Sequence, residues 1–406
     1  GGILADDMGL GKTLQVISFL LVEHTGCSLI VCPASLVYNW KHELERFAPS
    51  LKADMVTGNV QQRKEVLDRW KEVDVLITSY DLLRRDITDY QELHFFCEVI
   101  DEAQYIKNHG TQAARAVKQV QTGFRLALTG TPIENRLSEL WSIFDYLMPG
   151  YLYSYQRFRT ELEQPIVQHK DEEAAKRLQR LIRPFVLRRL KKEVLQDLPD
   201  KLEENLYADM DGEQQELYDA HVRRMKLMLE EKSDEEIRTD KIEILAELTR
   251  LRQLCCDPAL LYDNYKGGSA KTELVRGLIR NAVENGHKVL LFSQFTTMLE
   301  RLYRILEEEK IASHMLTGAT PKEKRIEMVE SFAHDEVPVF CISLKAGGTG
   351  LNLTAADIVI HFDPWWNLAV QNQATDRAHR IGQKNVVNVY KLIVKDTIEE
   401  NIMKLQ

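Results

Sequence analysis

The stretch DDMGLGKT (6–13) decides the fold. Gly9 and Gly11 let the backbone approach an anion closely, so that successive amide N–H groups can cradle a phosphate. Within the same loop Asp7, Met8 and Leu10 complete the candidate contact set. Lys12 supplies a point charge for β- and γ-phosphates, and the Thr13 hydroxyl suits a magnesium ion. Leu14, Ile17 and Leu21 follow at helical spacing, which puts the phosphates at a helix N-terminus. The general loop of this kind has glycine where Asp6 stands, so the match is a near one, and a glycine-rich turn opening an ordinary helix is the plainer alternative. VIDEAQ (99–104) decides between them. Two apolar residues lead into two carboxylates, as expected at the C-terminal end of a buried strand, where α/β sheets place ligand chemistry. Asp101 would hold the metal through its water shell, and Glu102 would orient and polarise an attacking water. A solvated Asp-Glu pair is a weak rival once the glycine loop precedes it. Together the two stretches point to nucleoside triphosphate hydrolysis.

Working outward, short runs rich in Val, Ile and Leu lie at 28–32, 73–78, 97–101 and 124–128, and again at 288–293, 337–342, 357–362 and 386–394. Helix-length segments separate them, which predicts parallel strands buried on both faces and two α/β lobes of similar plan. The region 150–268 is charged and helical in period: Asp211 and Gln214 open one helix, and Ile244, Leu248 and Leu251 stripe another that stops before Pro258. The expected domains are lobe one at 1–149, a helical protrusion and linker at 150–268, and lobe two at 269–406, with Gly267-Gly268-Ser269 as a flexible junction.

The chain of 406 residues carries 53 basic and 62 acidic side chains, a net charge of −9, which excludes a binder that holds nucleic acid by overall charge but not a local basic track. No apolar run is long enough for a membrane span. Six scattered cysteines without a CxxC pair suit a reducing compartment and give no zinc site. No initiator Met precedes the first motif, and Asp6 and Asp7 sit where a secretory leader would be positive. The expectation is a piece of a longer cytoplasmic protein, nucleoid-associated if bacterial and nuclear if eukaryotic. The acidic balance favours a bacterial source.

Further blocks fall in a fixed order: CPASLVYNW (32–40), ITSYD (77–81), LTGTPIENRLSELWSIFDYL (128–147), RPFVLRRLKKEV (183–194), LLFSQF (290–295), SLKAGGTGLNLTAADIVIHFDPWWN (343–367) and DRAHRIGQ (376–383). With DDMGLGKT and DEAQ they resemble helicase superfamily two, and within it the Swi/Snf-type ATPases of chromatin remodellers and their bacterial relatives. The resemblance covers nearly the whole chain. It implies two RecA-like doubly wound parallel-sheet lobes with a helical protrusion between them, an ATP and magnesium site in the cleft, and stepping along duplex DNA without strand separation. It assigns ATP to Gly9, Gly11, Lys12 and Thr13, with Gln104, Gly350 and Gln373 beside it. Metal and water fall to Thr13, Asp101 and Glu102, and the coupling of nucleotide state to movement to Thr129, Gly130 and Thr131. The DNA backbone would meet Pro33, Ala34, Ser35, Leu36, Thr78, Ser79, Gly347, Gly348, Thr349 and Trp366.

The family's arginine fingers map onto Arg377 and Arg380. Spacing supports this: Asn367 can cap a helix running to Gly382, on which Gln373, Arg377 and Arg380 share a face. An ordinary solvated face is the alternative. Three departures stand out. The family's upstream adenine-recognition motif is not in this sequence, Leu368 replaces a frequent proline after Trp365-Trp366-Asn367, and Gln104 stands where many relatives have histidine.

The segment 176–192 holds eight basic residues and no acidic one. It is either a footprint for phosphates or a set of arginines paired with carboxylates around the apolar Leu181, Ile182, Phe185, Val186 and Leu187. Trp365 and Trp366 can stack on nucleic acid or fill a corner. His361 and His379 lack ligand neighbours and read as structural. The function expected is a monomeric, ATP-dependent duplex-DNA translocase that remodels protein–DNA complexes. The rivals are a strand-separating helicase, a motor acting on DNA-bound RNA polymerase, and a nonenzymatic scaffold, against which Lys12, Glu102, Arg377 and Arg380 all speak.

Overall fold

The structure is a computed structural model that describes residues 1–23, 25–130, 136–194, 198–230, 240–347 and 351–406. It divides into two compact units, Gly1–Asp197 and Leu198–Gln406.

The first unit is built on strands β1 (Gly2–Leu4), β2 (Ser28–Cys32), β3 (Ala53–Met55), β4 (Val75–Ser79), β5 (His94–Ile100), β6 (Gln121–Leu128) and β7 (Val186–Leu187). They form one sheet in the order β3-β4-β2-β5-β6-β1-β7, and each neighbouring pair runs parallel. The second unit contains β8 (Lys201–Ala208), β9 (Val289–Ser293), β10 (Ser313–Leu316), β11 (Val339–Ser343), β12 (Ile358–His361) and β13 (Val387–Val394). Their order is β10-β11-β9-β12-β13-β8, again parallel throughout.

Burial on both faces explains the unbroken apolar runs. In β2, Leu29 and Val31 enter one core cluster with Ile3 and Ala127, while Ile30 and Cys32 enter the opposite one with Ile17 and Trp40. Each of the eight runs read from sequence lies on a strand. The strands that the runs miss are of two kinds. β1, β3, β7 and β10 are two to four residues long, too short for a pattern. β8 is an edge strand, KLEENLYA, whose middle is exposed and polar, and it pairs in register from Lys201 against Val387 to Ala208 against Val394.

The expected protrusion at 150–268 divides between the two units. Leu152, Phe158, Leu162, Ala174 and Leu178 bury in the same cluster as the first sheet. From β8 onward the chain belongs to the second unit, where Tyr218, Leu251, Leu254 and Cys255 of the helices Gly212–Glu230 and Lys241–Cys256 pack with Val394. Helical period reports that a face is apolar, but not which core receives it. Of the supposed flexible junction, Gly268 is exposed, but Ser269 is buried, caps the helix Ala270–Glu284 at the Thr272 amide, and donates its hydroxyl to the Cys256 carbonyl.

Candidate active site

Three adjacent strands deliver the site. The glycine loop follows β1, Thr129 follows β6 and Asp101 follows β5, all at the C-terminal edge of the first sheet. Gly9 and Gly11 adopt φ of 85° and 75°, the left-handed region where a side chain is costly. The loop then enters the helix Lys12–Val22, with Lys12 and Thr13 in its first turn. Lys12 Nζ donates to the carbonyls of Asp6 at 2.7 Å and Asp7 at 3.4 Å, so its ammonium lies across the loop. A Cβ on Gly130 would stand 2.8 Å from the Met8 side chain and 4.0 Å from Lys12 Nζ, which makes glycine the residue that lets the chain after β6 close on the loop.

Asp6, the departure from the general loop, is a fastener. Its carboxylate is fully buried and accepts from Gln15 Nε2 at 3.2 Å, from the Arg189 amide at 3.0 Å, and from the Arg189 guanidinium. Burial pushes the Asp6 carboxyl up, but the hydrogen bonds and charge of Arg189 and Gln15 outweigh it and hold the group below its ordinary value. The carboxylate of Asp7, a residue expected at the nucleotide, accepts from the Lys191 amide at 3.1 Å. Gln15 escaped the sequence reading, and Arg189 was read only as one of the basic segment's arginines without its partner; the available signal was an acid in a phosphate loop, which needs a cation.

At the acidic strand end, Asp101 Oδ1 accepts from the Glu102 amide at 2.8 Å and Oδ2 from Trp40 Nε1 at 2.9 Å. Burial, and then the Glu102 charge, raise the Asp101 carboxyl to about 7. Glu102 is a non-glycine residue at φ 52°, a local strain of the kind held in place at functional sites. Its Oε2 accepts from Gln104 Nε2 at 2.7 Å, and Gln104 Oε1 accepts from the buried Thr129 hydroxyl at 3.2 Å. Gln104 thus links the chain after β6 to Glu102. The donor set fits a magnesium nucleotide: a left-handed glycine turn and Lys12 for phosphates, a hydroxyl and a half-buried carboxylate as hard oxygen ligands, and a carboxyl whose raised value a divalent cation would relieve.

Residues expected at DNA sort unevenly. Ala34 is exposed and Ser35 half-buried, but Pro33 and Leu36 are buried, Leu36 within the core. Thr78 and Ser79 are also buried, and Ser79 Oγ caps the helix Tyr80–Arg85 at the Leu82 amide. Gly347 ends the helix Leu344–Gly347. Thr131, Gly348, Thr349 and Gly350 lie outside the described residues.

In the second unit Asn367 caps a helix as expected, accepting from the Ala369 amide at 2.9 Å, but that helix, Leu368–Thr375, stops well before Gly382. Gln373 is on it; Arg377 and Arg380 lie on the turns beyond, so a single helical face does not join the three. Arg380 Nη1 donates to the Leu351 carbonyl at 3.4 Å, and Arg377 is largely buried. Trp366 is 42% exposed, whereas Trp365 packs on the core. Sequence reasoning missed what orders this corner. Buried Arg252 donates to the Pro364 carbonyl at 2.6 Å and lies over Phe295, Trp365 and Trp366 at 5.4, 5.4 and 5.8 Å. The two histidines are structural: His361 Nε2 meets Thr375 Oγ1 and His379 Nε2 the Pro199 carbonyl, each at 2.8 Å. All six cysteines are buried and free, and no metal-holding cluster of His, Cys, Asp or Glu occurs among the described residues.

The basic segment splits between its two readings. Lys176 pairs with Glu172 and Glu173, Arg177 with Glu161, and Arg189 with Asp6. Arg180, Arg183, Arg188 and Lys192 are exposed.

Comparison with known proteins agrees with this geometry. The SNF2-related domain model matches residues 1–260 and the helicase conserved C-terminal domain model residues 270–382. The chain belongs to the SNF2-related domain family. It is 41% identical to an uncharacterized ATP-dependent helicase of Mycoplasma genitalium, covering 100% of this chain and 39% of that protein. It is also 41% identical to the putative ATP-dependent helicase/translocase YwqA of Bacillus subtilis, over 99% of this chain and 45% of the relative. The TATA-binding protein-associated factor mot1 of Schizosaccharomyces pombe is 35% identical over 100% of this chain and 25% of its own length. The chain thus spans less than half of these curated relatives. Among solved structures, the Sulfolobus solfataricus SWI2/SNF2 ATPase core in complex with dsDNA is 38% identical, with a TM-score of 0.50, covering 100% of this chain and 86% of that one.

Proposed function

We propose that this chain is the motor core of an ATP-dependent translocase on double-stranded DNA. The observation that carries the reading is the meeting, at one sheet edge, of Lys12 on a left-handed glycine turn with Asp101 and Glu102, tied through Gln104 to Thr129. Gly9, Gly11 and Lys12 bind the phosphates, while Thr13 and Asp101 are the ligands for magnesium, which would supply charge neutralisation at the phosphates. Glu102 orients and polarises the attacking water, and its bond to Gln104 makes that orientation sensitive to the chain after β6. Arg377 and Arg380 of the second unit are assigned to the γ-phosphate. The duplex is tracked through its phosphates, with Ala34, Ser35 and Trp366 as exposed contacts.

Two comparisons support the substrate and the target. One solved relative is a complex with duplex DNA, and one curated relative carries the name of a TATA-binding protein-associated factor, in keeping with a motor that displaces proteins from DNA. RNA polymerase is a second candidate target, testable by pull-down.

ATP hydrolysis without nucleic acid, with single strands and with duplex tests the reading, alongside Glu102→Gln. Several-fold stimulation by duplex, and a fall of roughly 10²-fold or more in the variant, are expected. Stimulation mainly by single strands would favour a strand-separating helicase, and a Glu102→Gln chain as active as wild type would remove Glu102 from its role.

A further inference from the structure

Every polar group of Asp101 is engaged. Its amide donates to the Val31 carbonyl at 2.8 Å, its carbonyl accepts from Tyr80 Oη at 2.8 Å, Oδ1 accepts from the Glu102 amide, and Oδ2 accepts from Trp40 Nε1. The first and third are contacts that backbone at a strand end makes readily. The other two come from aromatic side chains brought in from different elements. Trp40 sits on the buried face of the helix Val37–Phe47, with Val37 and Leu44, after the turn that follows β2. Tyr80 opens the helix that follows β4. Each is almost wholly buried, so its ring has one position and its donor one direction. The Tyr80 ring also stacks on Tyr105, with centroids 5.2 Å apart and planes within 4°, and Tyr105 is 53% exposed. A run of contacts therefore leads from an exposed ring, through Tyr80, to the backbone of the acid.

We propose that Trp40 and Tyr80 are positioning residues for Asp101, and that Tyr105 is the surface end of the same set, through which a nucleic-acid strand lying on this sheet edge alters how Asp101 is held. The regulatory half rests on the translocase reading above; the positioning half does not. The carboxylate is held by Trp40 and the main chain by Tyr80, so loss of either donor leaves the other and loosens the strand end without unfolding it. Tyr80→Phe keeps the stack and removes the hydroxyl, and Trp40→Phe keeps most of the apolar volume and removes the indole N–H.

The experiment uses the full chain. Hydrogen exchange over residues 99–106, measured without nucleotide or nucleic acid, is faster in both Trp40→Phe and Tyr80→Phe. In ATP hydrolysis Trp40→Phe lowers kcat and raises the half-saturating magnesium concentration by about tenfold each, with KM for ATP changed by less than about twofold. In Tyr105→Ala the ratio of duplex-stimulated to unstimulated rate falls by several-fold. Unchanged exchange and magnesium dependence in both Phe variants would overturn the positioning role. So would a lowered melting temperature with wild-type kcat and KM, which would make the two rings mere packing. An unaltered ratio in Tyr105→Ala would remove Tyr105. A wild-type chain that duplex does not stimulate would defeat the translocase reading, and the exchange measurement would still decide the positioning role.

Discussion

The two sheets share a plan, yet their buried carboxylates meet different partners. At the edge of the first, Glu102 is strained at φ 52° and Asp101 is raised to about 7, while mid-strand Glu98, wholly buried, is pushed up to about 8 by burial despite Arg125 at 3.4 Å. In the second, burial raises Glu399 and Asp363 as well, but both carboxylates are hydrogen-bonded. Lys271 Nζ, with no exposed surface, donates to Glu399 Oε1 at 2.7 Å and to the Phe362 carbonyl at 2.8 Å, and Glu399 Oε2 accepts from the Val394 amide at 2.9 Å. Asp363 is served by the Ser293 hydroxyl and the Gln294 amide, with Arg252 at 3.6 Å. Both sheets thus raise buried carboxylates, but at the edge of the first the raised acid lies beside the glycine loop, whereas in the second the raised acids bind the chain to itself.

The contrast would break most visibly at Arg377 and Arg380. If the second unit does chemistry as well as architecture, Arg377→Ala or Arg380→Ala should lower kcat per folded molecule by about 10³-fold or more. A loss under tenfold would return both arginines to a structural role. Next in size, Lys271→Met strands the buried Glu399 carboxylate and should destabilise folding by about 3–5 kcal/mol in urea unfolding, with nucleotide affinity per folded molecule kept. A Lys271→Met chain as stable as wild type would mean that the second unit's pair is as dispensable as surface charge.

The last effects are in pH, where the two units should oppose each other. Glu98 has a folded value of about 8 against an ordinary 4.5, so the folded state holds its proton more tightly, and stability falls as pH rises from about 4.5 to about 8. His361 is lowered by burial to about 3 against 6.5, so the unfolded state takes up the proton first, and stability falls as pH drops from 6.5 towards 3. In calorimetry, Glu98→Gln should flatten the first slope and His361→Asn the second. A variant that leaves its slope unchanged would assign that slope to other groups.

Much of the site was legible because its chemistry is local. The glycine loop and the acidic strand end are contiguous stretches, and phosphate cradling demands glycines and a lysine at close spacing. The sheet strands were legible wherever burial on both faces forced an apolar run. The helical face proposed for Gln373, Arg377 and Arg380 was not sound, because the helix ends at Thr375 and spacing alone does not say where a helix stops. Which core each helix of 150–268 joins was not legible for a related reason: Phe158 and Leu254 look alike as apolar helical positions, but one joins the first core and the other the second.

What the order of residues settles is therefore short-range: loop, acids, strand runs, caps and family membership. What had to wait for packing is every partnership made at a distance. Arg189 with Asp6 and Lys271 with Glu399 are separated by 183 and 128 residues, and Trp40 with Asp101 by 61. A buried polar group must find a partner to repay its lost hydration, but any of several residues of suitable chemistry could serve, and proximity in the folded chain makes the choice.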